Sequence, residues 1–596
     1  MLTRFRRLSR FLASSSQAPG RGPASWLALC LGALLVVPAA GDQPVAEQPL
    51  SLAAPAEVAG QLLEAQRLAP VDRERLMAED AAAEPFTGPR RFAEALPVGW
   101  TASEQGVWQQ LADGSRLWRL RMVSPGALSL NLRLDDFQLP AGARLWLHDG
   151  IGNVVQGPYT RDHRTREGQL WTALVPGQEA VLELHLPAGV APASASFRVA
   201  SVQRGYRPVG GQSPGAEIEG DFPTKQGSCN NDVVCPEGNG WRDQIRSVGW
   251  FTVNGIGLCT GTLMNNTAGD FRPYLLTAEH CDITAGNAGS MVVYWNYQSP
   301  SCGQLSGGSL ADNQSGAIWR AGDASSDFTL VELMQQPDPA FDTYYAGWDA
   351  TGVAPTVGVV GIHHPDLREK AISFDDDPLQ EDDPGYWRVG QWEDGTTEPG
   401  SSGSCIFRRD TQLCVGTLTG GIASCRFPSG FDVYGRFDAH WDGPSPTRRL
   451  RDWLDPMGSG QRVLFGADPD SPTSPPPGSE CVESSSTACL NGDRFRVSVT
   501  WRDRDDNTGV GSQVTGASDD SVLFWFFQES NWELLVKVLD GCPVNGRYWV
   551  LAAAATNVEY LITVTDTVSG QTETYENPLG NRAQALADTA SFRVCP

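Results

Sequence analysis

The chain has little lysine and no excess of positive charge. Only three of its 45 basic residues are lysines, and its formal net charge is −25. Binding to nucleic-acid phosphates needs a basic surface, so we expect no nucleic-acid partner. Beyond the N-terminus no apolar run is long enough to span a membrane, and the cysteines lack the paired short spacing of a zinc site. We therefore expect no membrane partner, no metal and no other cofactor.

Residues 1–40 have the pattern of a secretion signal. Four arginines lie within the first ten residues, Trp26–Val37 is apolar, and Val37–Ala40 offers a small-residue cleavage site. An uncleaved anchor is the alternative, but the apolar run is short for a membrane span. Removal of this segment takes away Cys30 and leaves twelve cysteines, and an even number in an exported chain indicates disulfides. We expect a secreted, extracellular monomer.

The stretch Gly395–Ser404, which reads GTTEPGSSGS, predicts the loop of a serine nucleophile. A reactive hydroxyl must stand clear of its own backbone, and two backbone N–H groups must point at one spot to hold an oxyanion. Glycines permit both, so we assign Ser402 as the nucleophile and the N–H groups of Gly400 and Ser402 as the oxyanion hole. A flexible Gly/Ser turn is the alternative for this stretch alone. The α/β-hydrolase elbow is excluded because position 404 is not glycine.

A second stretch, Leu275–Cys281, reads LLTAEHC and supplies a candidate base, His280. A lone histidine is more often structural, but here a cysteine follows it and another, Cys259, lies one strand upstream. Asp327 opens an apolar, β-prone run and suits a buried carboxylate that orients the imidazole. The chain order His280, Asp327, Ser402 is the order of chymotrypsin and not of subtilisin or the α/β-hydrolases.

From Cys229 to about residue 466 the chain resembles one branch of the trypsin-like serine proteases, the bacterial lysyl endopeptidases. The resemblance implies two antiparallel β-barrels with the active cleft between them, protein or peptide substrates, and no cofactor. It rests on the stretches Cys229–Gly238, Asn265–Thr267, Val292–Gln298, Ser326–Leu333, Ala346–Asp349, Ile362–Pro365, Thr397–Ser404 and Arg451–Pro456.

The resemblance also implies a specificity residue and three disulfides. Asp432, within the stretch GFDVYGR, matches the aspartate at the base of the family's primary pocket and would pair with a substrate lysine. A solvated loop carboxylate is the alternative for Asp432. Cys405 and Cys414 depart from the family pattern and flank a short turn, so we expect them to pair across a hairpin. The implied pairs are Cys229–Cys425, Cys235–Cys302 and Cys259–Cys281.

Two further features depart from the family. Thr419 stands where the family has a histidine, and residues 371–391 hold no clear match for a tryptophan that stacks near the active histidine. Both family residues tune rate and pH range. His363 and His364 have the residue type of a metal pair, but the resemblance implies a structural role.

Turn-separated β-like runs on both sides of the protease segment predict an all-β chain. The expected N-terminal strands are Arg116–Met122, Leu128–Leu132, Arg144–His148 and Ala180–His185, and a short helix is expected within Leu62–Ala81. The cysteines Cys481, Cys489, Cys542 and Cys595 are not assigned to pairs. The expected organisation is a signal peptide (1–40), a poorly ordered leader (41–90), a cysteine-free β-sandwich pro-domain (91–205), a linker with a processing site (206–225), a trypsin-like protease domain (226–466), a Pro/Ser linker (467–480) and a β-rich accessory domain (481–596).

The scarce lysines predict a maturation site. Lys225 lies in the exposed linker, Lys370 within the protease segment, and Lys537 in a predicted strand that cannot readily enter a protease cleft. A genome that favours arginine codons is the alternative explanation of the scarcity. We predict self-cleavage between Lys225 and Gln226.

Three functions are compatible with these patterns. The first is a secreted serine endopeptidase that cleaves after lysine through an acyl-enzyme and matures by self-processing. The second is a trypsin-like protease that accepts both arginine and lysine. The third is an inactive protease scaffold that serves in binding or adhesion, and the complete triad argues against it.

Overall fold

The structure, a computed structural model, describes residues 48–53, 58, 63–83, 88–209, 229–304, 306–469, 481, 483–504, 507–514, 518–568 and 571–595. The signal segment, Lys225, Gln226 and most of the Pro/Ser linker lie outside the described residues. The described residues belong to one compact unit. No helix among them is long and apolar enough to cross a membrane.

The N-terminal domain is a sandwich of two sheets, whose strands are antiparallel except for β1 at one edge. Alternate residues of a strand point to one face, and Leu130, Leu132 and Leu134 accordingly meet Leu182 and Leu184 of the opposite sheet in a fully buried core. The first sheet has the order β1-β5-β11-β7-β8 with β4 beside β5, and the second has the order β10-β6-β12-β3 with β9 beside β6. The elements are α1 (Leu50–Ala53), β1 (Ala65–Arg67), α2 (Arg73–Ala82), β2 (Arg90–Arg91), β3 (Ala93–Thr101), β4 (Val107–Gln110), β5 (Arg116–Val123), β6 (Ser129–Gln138), β7 (Arg144–His148), β8 (Val155–Tyr159), β9 (Leu170–Trp171), β10 (Val175–Pro176), β11 (Glu179–Leu186) and β12 (Ser196–Gly205).

The expected leader differs from the structure. Its helix is confined to α2, because β1 forms a parallel edge strand on β5 instead. Leu68 and Val71 pack against the sandwich core, and Leu76 of α2 is buried. The described part of this segment therefore belongs to the N-terminal domain and is not a poorly ordered leader.

The central domain, which the sequence predicts to be a protease and which is called the protease domain below, consists of two sheets that form the two β-barrels. The first has the order β18-β17-β14-β15-β16-β20-β19, and the second has the order β13-β23-β22-β26-β27-β28-β25-β24 with β21 beside β27 and β29 beside β21. The elements are β13 (Asn231–Asp232), α3 (Arg242–Ser247), β14 (Val248–Val253), β15 (Gly257–Met264), β16 (Tyr274–Thr277), β17 (Val292–Tyr294), β18 (Asn313–Ser315), β19 (Ala317–Asp323), β20 (Phe328–Leu333), β21 (Trp348–Asp349), β22 (Val359–His363), β23 (Ala371–Asp375), β24 (Gln380–Glu381), β25 (Tyr386–Val389), β26 (Cys405–Arg408), β27 (Cys414–Gly421), β28 (Asp432–Arg436), α4 (Phe437–Trp441), α5 (Arg451–Leu454) and β29 (Val463–Leu464).

The C-terminal domain is a second sandwich. Val497 and Val564 of one sheet share a buried core with Val536 and Val550 of the other. The sheets have the orders β30-β31-β37-β38, with β32 beside β31, and β33-β34-β35-β36-β39. The elements are β30 (Thr487–Leu490), β31 (Phe495–Arg502), β32 (Thr508–Val510), β33 (Ser512–Gln513), β34 (Ser521–Trp525), β35 (Leu534–Asp540), α6 (Cys542–Asn545), β36 (Tyr548–Ala554), β37 (Glu559–Asp566), β38 (Thr572–Asn577) and β39 (Leu586–Phe592).

Six disulfides use every cysteine from Cys229 onwards. Four lie in the protease domain, and the Cys405–Cys414 bridge spans the β26–β27 hairpin. In the C-terminal domain, Cys481 pairs with Cys489 and Cys542 pairs with Cys595. The other pairs are Cys229–Cys425, Cys235–Cys302 and Cys259–Cys281.

Loss of the Cys405–Cys414 bridge should destabilise the protease domain. Its sequence separation of 9 residues corresponds to about 3 kcal/mol of loop-closure free energy. We expect a Cys405→Ala/Cys414→Ala variant to lower the melting temperature of the protease domain in calorimetry.

The matched control removes the Cys481–Cys489 bridge, whose separation is 8 residues and which lies in the C-terminal domain. That variant should leave the protease transition unchanged.

Labelling of denatured, unreduced protein with a thiol reagent should find none of the twelve cysteines free, and two labelled cysteines would contradict the pairing.

Candidate active site

His280 lies in a 3-10 turn, Glu279–Cys281, directly after β16. The disulfide between Cys281 and Cys259 of β15 ties this turn to the neighbouring strand. The turn ends at Asp282, which has a left-handed backbone with φ of 59°. Strand, disulfide and turn together fix the direction of the imidazole.

Asp327 faces His280 from the start of β20. One carboxylate oxygen, Oδ1, accepts the backbone N–H of His280 at 3.0 Å, and Oδ2 lies 2.9 Å from the ring Nδ1. Burial alone would raise the pKa of Asp327, but the hydrogen bonds from His280 lower it below its ordinary value. A carboxylate that stays charged holds the proton of His280 on Nδ1 and leaves Nε2 as an acceptor.

The loop that carries Ser402 packs against the strands that lead to His280. The carbonyl of Ser402 accepts the N–H of Thr260 in β15 at 2.9 Å. Gly403 has φ of +81°, and a Cβ on it would lie 2.6 Å from the Thr260 carbonyl oxygen and 2.7 Å from the Ala278 nitrogen. Only glycine therefore allows the loop to approach the chain two residues before His280.

The Nε2 atom of His280 is buried and has no hydrogen-bond partner in the part of the chain that the structure describes. A hydrogen bond between this nitrogen and Ser402 is thus not formed in this state. Such bonds are often long without substrate and tighten when substrate binds.

Two backbone N–H groups of this loop, one of them that of Ser402 itself, are unused in the described part of the chain. Within the described ranges, the N–H groups of Ser401, Gly403 and Ser404 donate to carbonyl oxygens, whereas those of Gly400 and Ser402 donate to none. The left-handed backbone of Gly400, with φ of 106°, contributes to this arrangement. Two unused donors in the nucleophile loop can stabilise an oxyanion if they point at one spot.

A buried network of hydrogen-bonded side chains holds the loop that carries Ser402. The hydroxyl of Ser401 lies 2.8 Å from Nδ1 of His363, whose Nε2 lies 3.1 Å from the hydroxyl of Ser373. Burial lowers the pKa of His363 to about 3, so this ring is neutral. His363 therefore orients the nucleophile loop by hydrogen bonding, and His364, also fully buried, bonds the Arg368 carbonyl.

Asp432 begins β28 and is almost fully buried, with 1% of its surface exposed. Its Oδ2 accepts hydrogen bonds from the Thr397 hydroxyl at 2.6 Å and the Trp392 indole N–H at 2.7 Å. Burial raises the pKa of Asp432 to about 6 despite these donors. Thr397 belongs to the same loop as Ser402, so the buried carboxylate is tied directly to the segment that carries the nucleophile.

The two departures from the family pattern have visible consequences. The hydroxyl oxygen of Thr419 is buried and has no hydrogen-bond partner within the described part of the chain. Tyr386, the first residue of β25, donates its hydroxyl to the Ser325 carbonyl at 3.1 Å, and burial and the nearby Asp327 raise its pKa. Residues 371–391 hold no clear match for the family's tryptophan, and Tyr386 from this stretch lies close enough to Asp327 for that carboxylate to help raise its pKa.

Two groups of metal-type donors occur among the described residues, and both lie outside the triad. Cys229 and Cys425 approach Glu398, but their sulfurs form a disulfide. Asp375, Asp377 and Glu393 form an acidic group in which burial, with a contribution from Glu393, raises the pKa of Asp375 to about 7.

Two domain profiles of one protein family match the chain. The profile of the lysyl endopeptidase N-terminal domain matches residues 59–203, and that of the lysyl endopeptidase C-terminal domain matches residues 224–435. A lysyl endopeptidase of Pseudomonas aeruginosa is 27% identical over 362 residues, which cover 54% of this chain and 72% of that protein.

Two solved structures are similar to part of the chain. Kallikrein-related peptidase 10 is 12% identical, with a TM-score of 0.25, over 33% of this chain and 93% of that chain. A structure titled HL collagenase is 14% identical, with a TM-score of 0.21, over 33% of this chain and 89% of that chain.

Since the two domain profiles match the N-terminal sandwich and the double barrel in order, the chain belongs to the lysyl endopeptidase family and is a serine endopeptidase.

Proposed function

We propose that the protein cleaves polypeptides on the carboxyl side of lysine and is exported as a precursor that processes itself. The observation that carries this proposal is the buried carboxylate of Asp432, held by Thr397 beside the nucleophile loop. A buried carboxylate is costly unless it is paired. The ammonium group of a substrate lysine would provide that pairing.

The chemistry would pass through an acyl-enzyme. The hydroxyl of Ser402 attacks the substrate carbonyl carbon while Nε2 of His280 takes its proton, and Asp327 stabilises the resulting imidazolium. The oxyanion binds the free N–H groups of Gly400 and Ser402, each worth a few kcal/mol of barrier. His280 then protonates the leaving amine, and a water molecule hydrolyses the ester by the same steps in reverse.

The hydrogen bonds of Asp432 favour lysine over arginine. A guanidinium group binds a carboxylate best through two parallel hydrogen bonds, one to each oxygen. In Asp432 the Oδ2 atom already accepts two hydrogen bonds, from Thr397 and Trp392. The lone pairs left on the carboxylate therefore suit the compact charge of a lysine ammonium group better than the planar guanidinium group of arginine.

An inert scaffold that only binds other molecules is the competing function. A serine-directed phosphonate distinguishes the two, because it reacts only with an activated serine. We expect the reagent to label Ser402 and to leave a Ser402→Ala variant unlabelled. An unlabelled parent protein with an intact fold would favour the inert scaffold.

The positions of the lysines are compatible with self-processing. Lys370 is 1% exposed, and its Nζ donates to the Ile245 carbonyl at 2.7 Å. Burial lowers the pKa of Lys370 to about 7. Lys537 lies in β35, which is paired on both sides by β34 and β36. Neither lysine offers an extended, accessible segment, which leaves Lys225 as the proposed processing site.

Replacement of Asp327 by asparagine should lower kcat by about 10⁴-fold, because an amide cannot hold His280 in the required tautomer. The rate of hydrolysis of a lysine ester measures this. Asp323→Asn is the matched control, since Asp323 bonds Ser325 and Arg448 and does not contact His280. A similar loss of kcat in both variants would argue against the assignment of Asp327.

Binding of an ammonium ligand should depend on the charge of Asp432. The carboxylate is charged above its pKa of about 6. The affinity for n-butylammonium, a mimic of the lysine side chain, should therefore be constant above this pH and weaken about tenfold per pH unit below it. Competitive inhibition constants of the mature enzyme measure this effect. The uncharged n-butanol should show no such dependence, and a flat profile for both ligands would contradict the pocket assignment.

N-terminal sequencing should place the start of the mature chain at Gln226. We expect Lys225→Ala and Lys225→Arg precursors to remain uncleaved at this junction, because the pocket selects an ammonium group. Ser402→Ala should also remain uncleaved, whereas Lys537→Arg, a control outside the junction, should mature normally. A start elsewhere, or normal maturation of Lys225→Arg, is incompatible with lysine-directed self-processing.

A further inference from the structure

A short strand of the N-terminal domain, β2, pairs with a strand of the protease domain. Arg90 lies opposite Leu258 and Arg91 opposite Gly257 in an antiparallel ladder at the start of β15. The next residue, Phe92, donates its N–H to the Ile256 carbonyl at 2.9 Å. The N-terminal domain thus adds an edge strand to the first barrel of the protease.

The strand that receives β2 is the one that holds the nucleophile loop. Two residues beyond Leu258, the Thr260 hydroxyl donates to the Gly400 carbonyl at 2.9 Å and the Thr260 N–H to the Ser402 carbonyl at 2.9 Å. The Leu258 side chain lies 3.4 Å from where a Cβ of Gly400 would be. The paired segment is therefore adjacent to the proposed oxyanion hole.

The polarity of the pairing defines which side of the cleft β2 occupies. β15 runs from Gly257 towards Thr260 and the nucleophile loop, and β2 runs in the opposite direction. The N-terminal end of β2 therefore faces Ser402, and its C-terminal end leads away. A substrate bound with this polarity would place here the residues that follow its scissile bond, which leave with the amine.

An ion pair fastens β2 to a second element of the cleft. The guanidinium of Arg90 lies 3.2 Å from the carboxylate of Asp366. The N–H of Asp366 donates in turn to the Pro399 carbonyl at 2.8 Å, one residue before Gly400. Arg90 is thus held between β15 and a segment that touches the nucleophile loop.

The rest of the N-terminal domain anchors this strand. Phe92, Trp171 and Leu174 share a buried apolar cluster with Trp250 and Leu258 of the protease domain. The hydroxyl of Tyr294 in β17 also accepts the Leu174 N–H at 2.9 Å. Anchoring on both sides keeps β2 in the cleft without a covalent bond at this point.

We propose that β2 is a built-in inhibitor that occupies the leaving-group side of the substrate cleft, where the backbone of a polypeptide substrate would otherwise pair with Gly257 and Leu258. The inference rests on the proposed function, since it assumes that Ser402 and Asp432 define the cleft. Backbone pairing supplies affinity for any extended peptide, as in other cases of strand addition. Asp366 adds a preference for a basic side chain at the residue opposite Leu258.

The test uses full-length precursor with Ser402→Ala, which no self-cleavage can alter. Two fluorescent peptides are compared by anisotropy: one ends at its single lysine, and the other continues for several residues beyond it. Arg90→Glu places like charges at the Asp366 contact and should tighten binding of the extended peptide at least about tenfold. The peptide that ends at lysine should change much less.

Two further variants make the result specific. Arg121→Glu disrupts another partly exposed ion pair, with Glu179 inside the N-terminal domain, and should leave both affinities unchanged. Arg90→Glu combined with Asp366→Arg restores opposite charges and should return the extended peptide to weak binding, which a misfolded chain would not do.

Equal affinity of the extended peptide for the parent and for Arg90→Glu, with the short peptide bound by both, would overturn this inference alone. So would tight binding that persists in the charge-swapped double variant. If no variant bound the short peptide, the assignment of Asp432 as the lysine-binding residue would be contradicted. The inference about β2, which rests on that assignment, would then be contradicted as well.

Discussion

The hydrogen bonds of β15 connect the parts of this molecule that matter for its chemistry. Thr260 holds the carbonyl groups of Gly400 and Ser402, and Cys259 bonds covalently to the turn that carries His280. Leu258, one residue earlier, pairs with β2 of the N-terminal domain. One strand of the first barrel therefore sets the positions of the proposed nucleophile and base and also receives the proposed inhibitor.

Buried charge is the second constraint on the site. Asp327 and Asp432 are both buried carboxylates with opposite shifts of pKa, and the difference follows from their partners. Hydrogen bonds from His280 outweigh burial at Asp327 and lower its pKa. At Asp432 burial outweighs the neutral donors Thr397 and Trp392 and raises the pKa to about 6. The first carboxylate is suited to stabilising an imidazolium, and the second to receiving a cation from the substrate.

Local sequence patterns predicted the all-β fold and the candidate triad, because short motifs around His280, Asp327 and Ser402 carry the chemistry. They also predicted β7 to the residue. They did not reveal the hydrogen bond from Trp392 to Asp432 or the support of Ser401 by His363, which join residues 40 and 38 positions apart. The pairing of β2 with β15 was missed for the same reason, since two residues in a Pro- and Arg-rich stretch have no strand periodicity. Such contacts depend on tertiary structure.

The most direct measurement is the mapping of cleavage sites on a mixed peptide library, with the products of the mature enzyme identified by mass spectrometry. The account predicts that new carboxyl termini are lysine and that peptides containing arginine but no lysine remain intact. An Asp432→Asn enzyme should lose this selectivity. Cleavage after arginine at a rate comparable to that after lysine would contradict the account, because the hydrogen bonds of the Asp432 carboxylate would then not discriminate between the two cations.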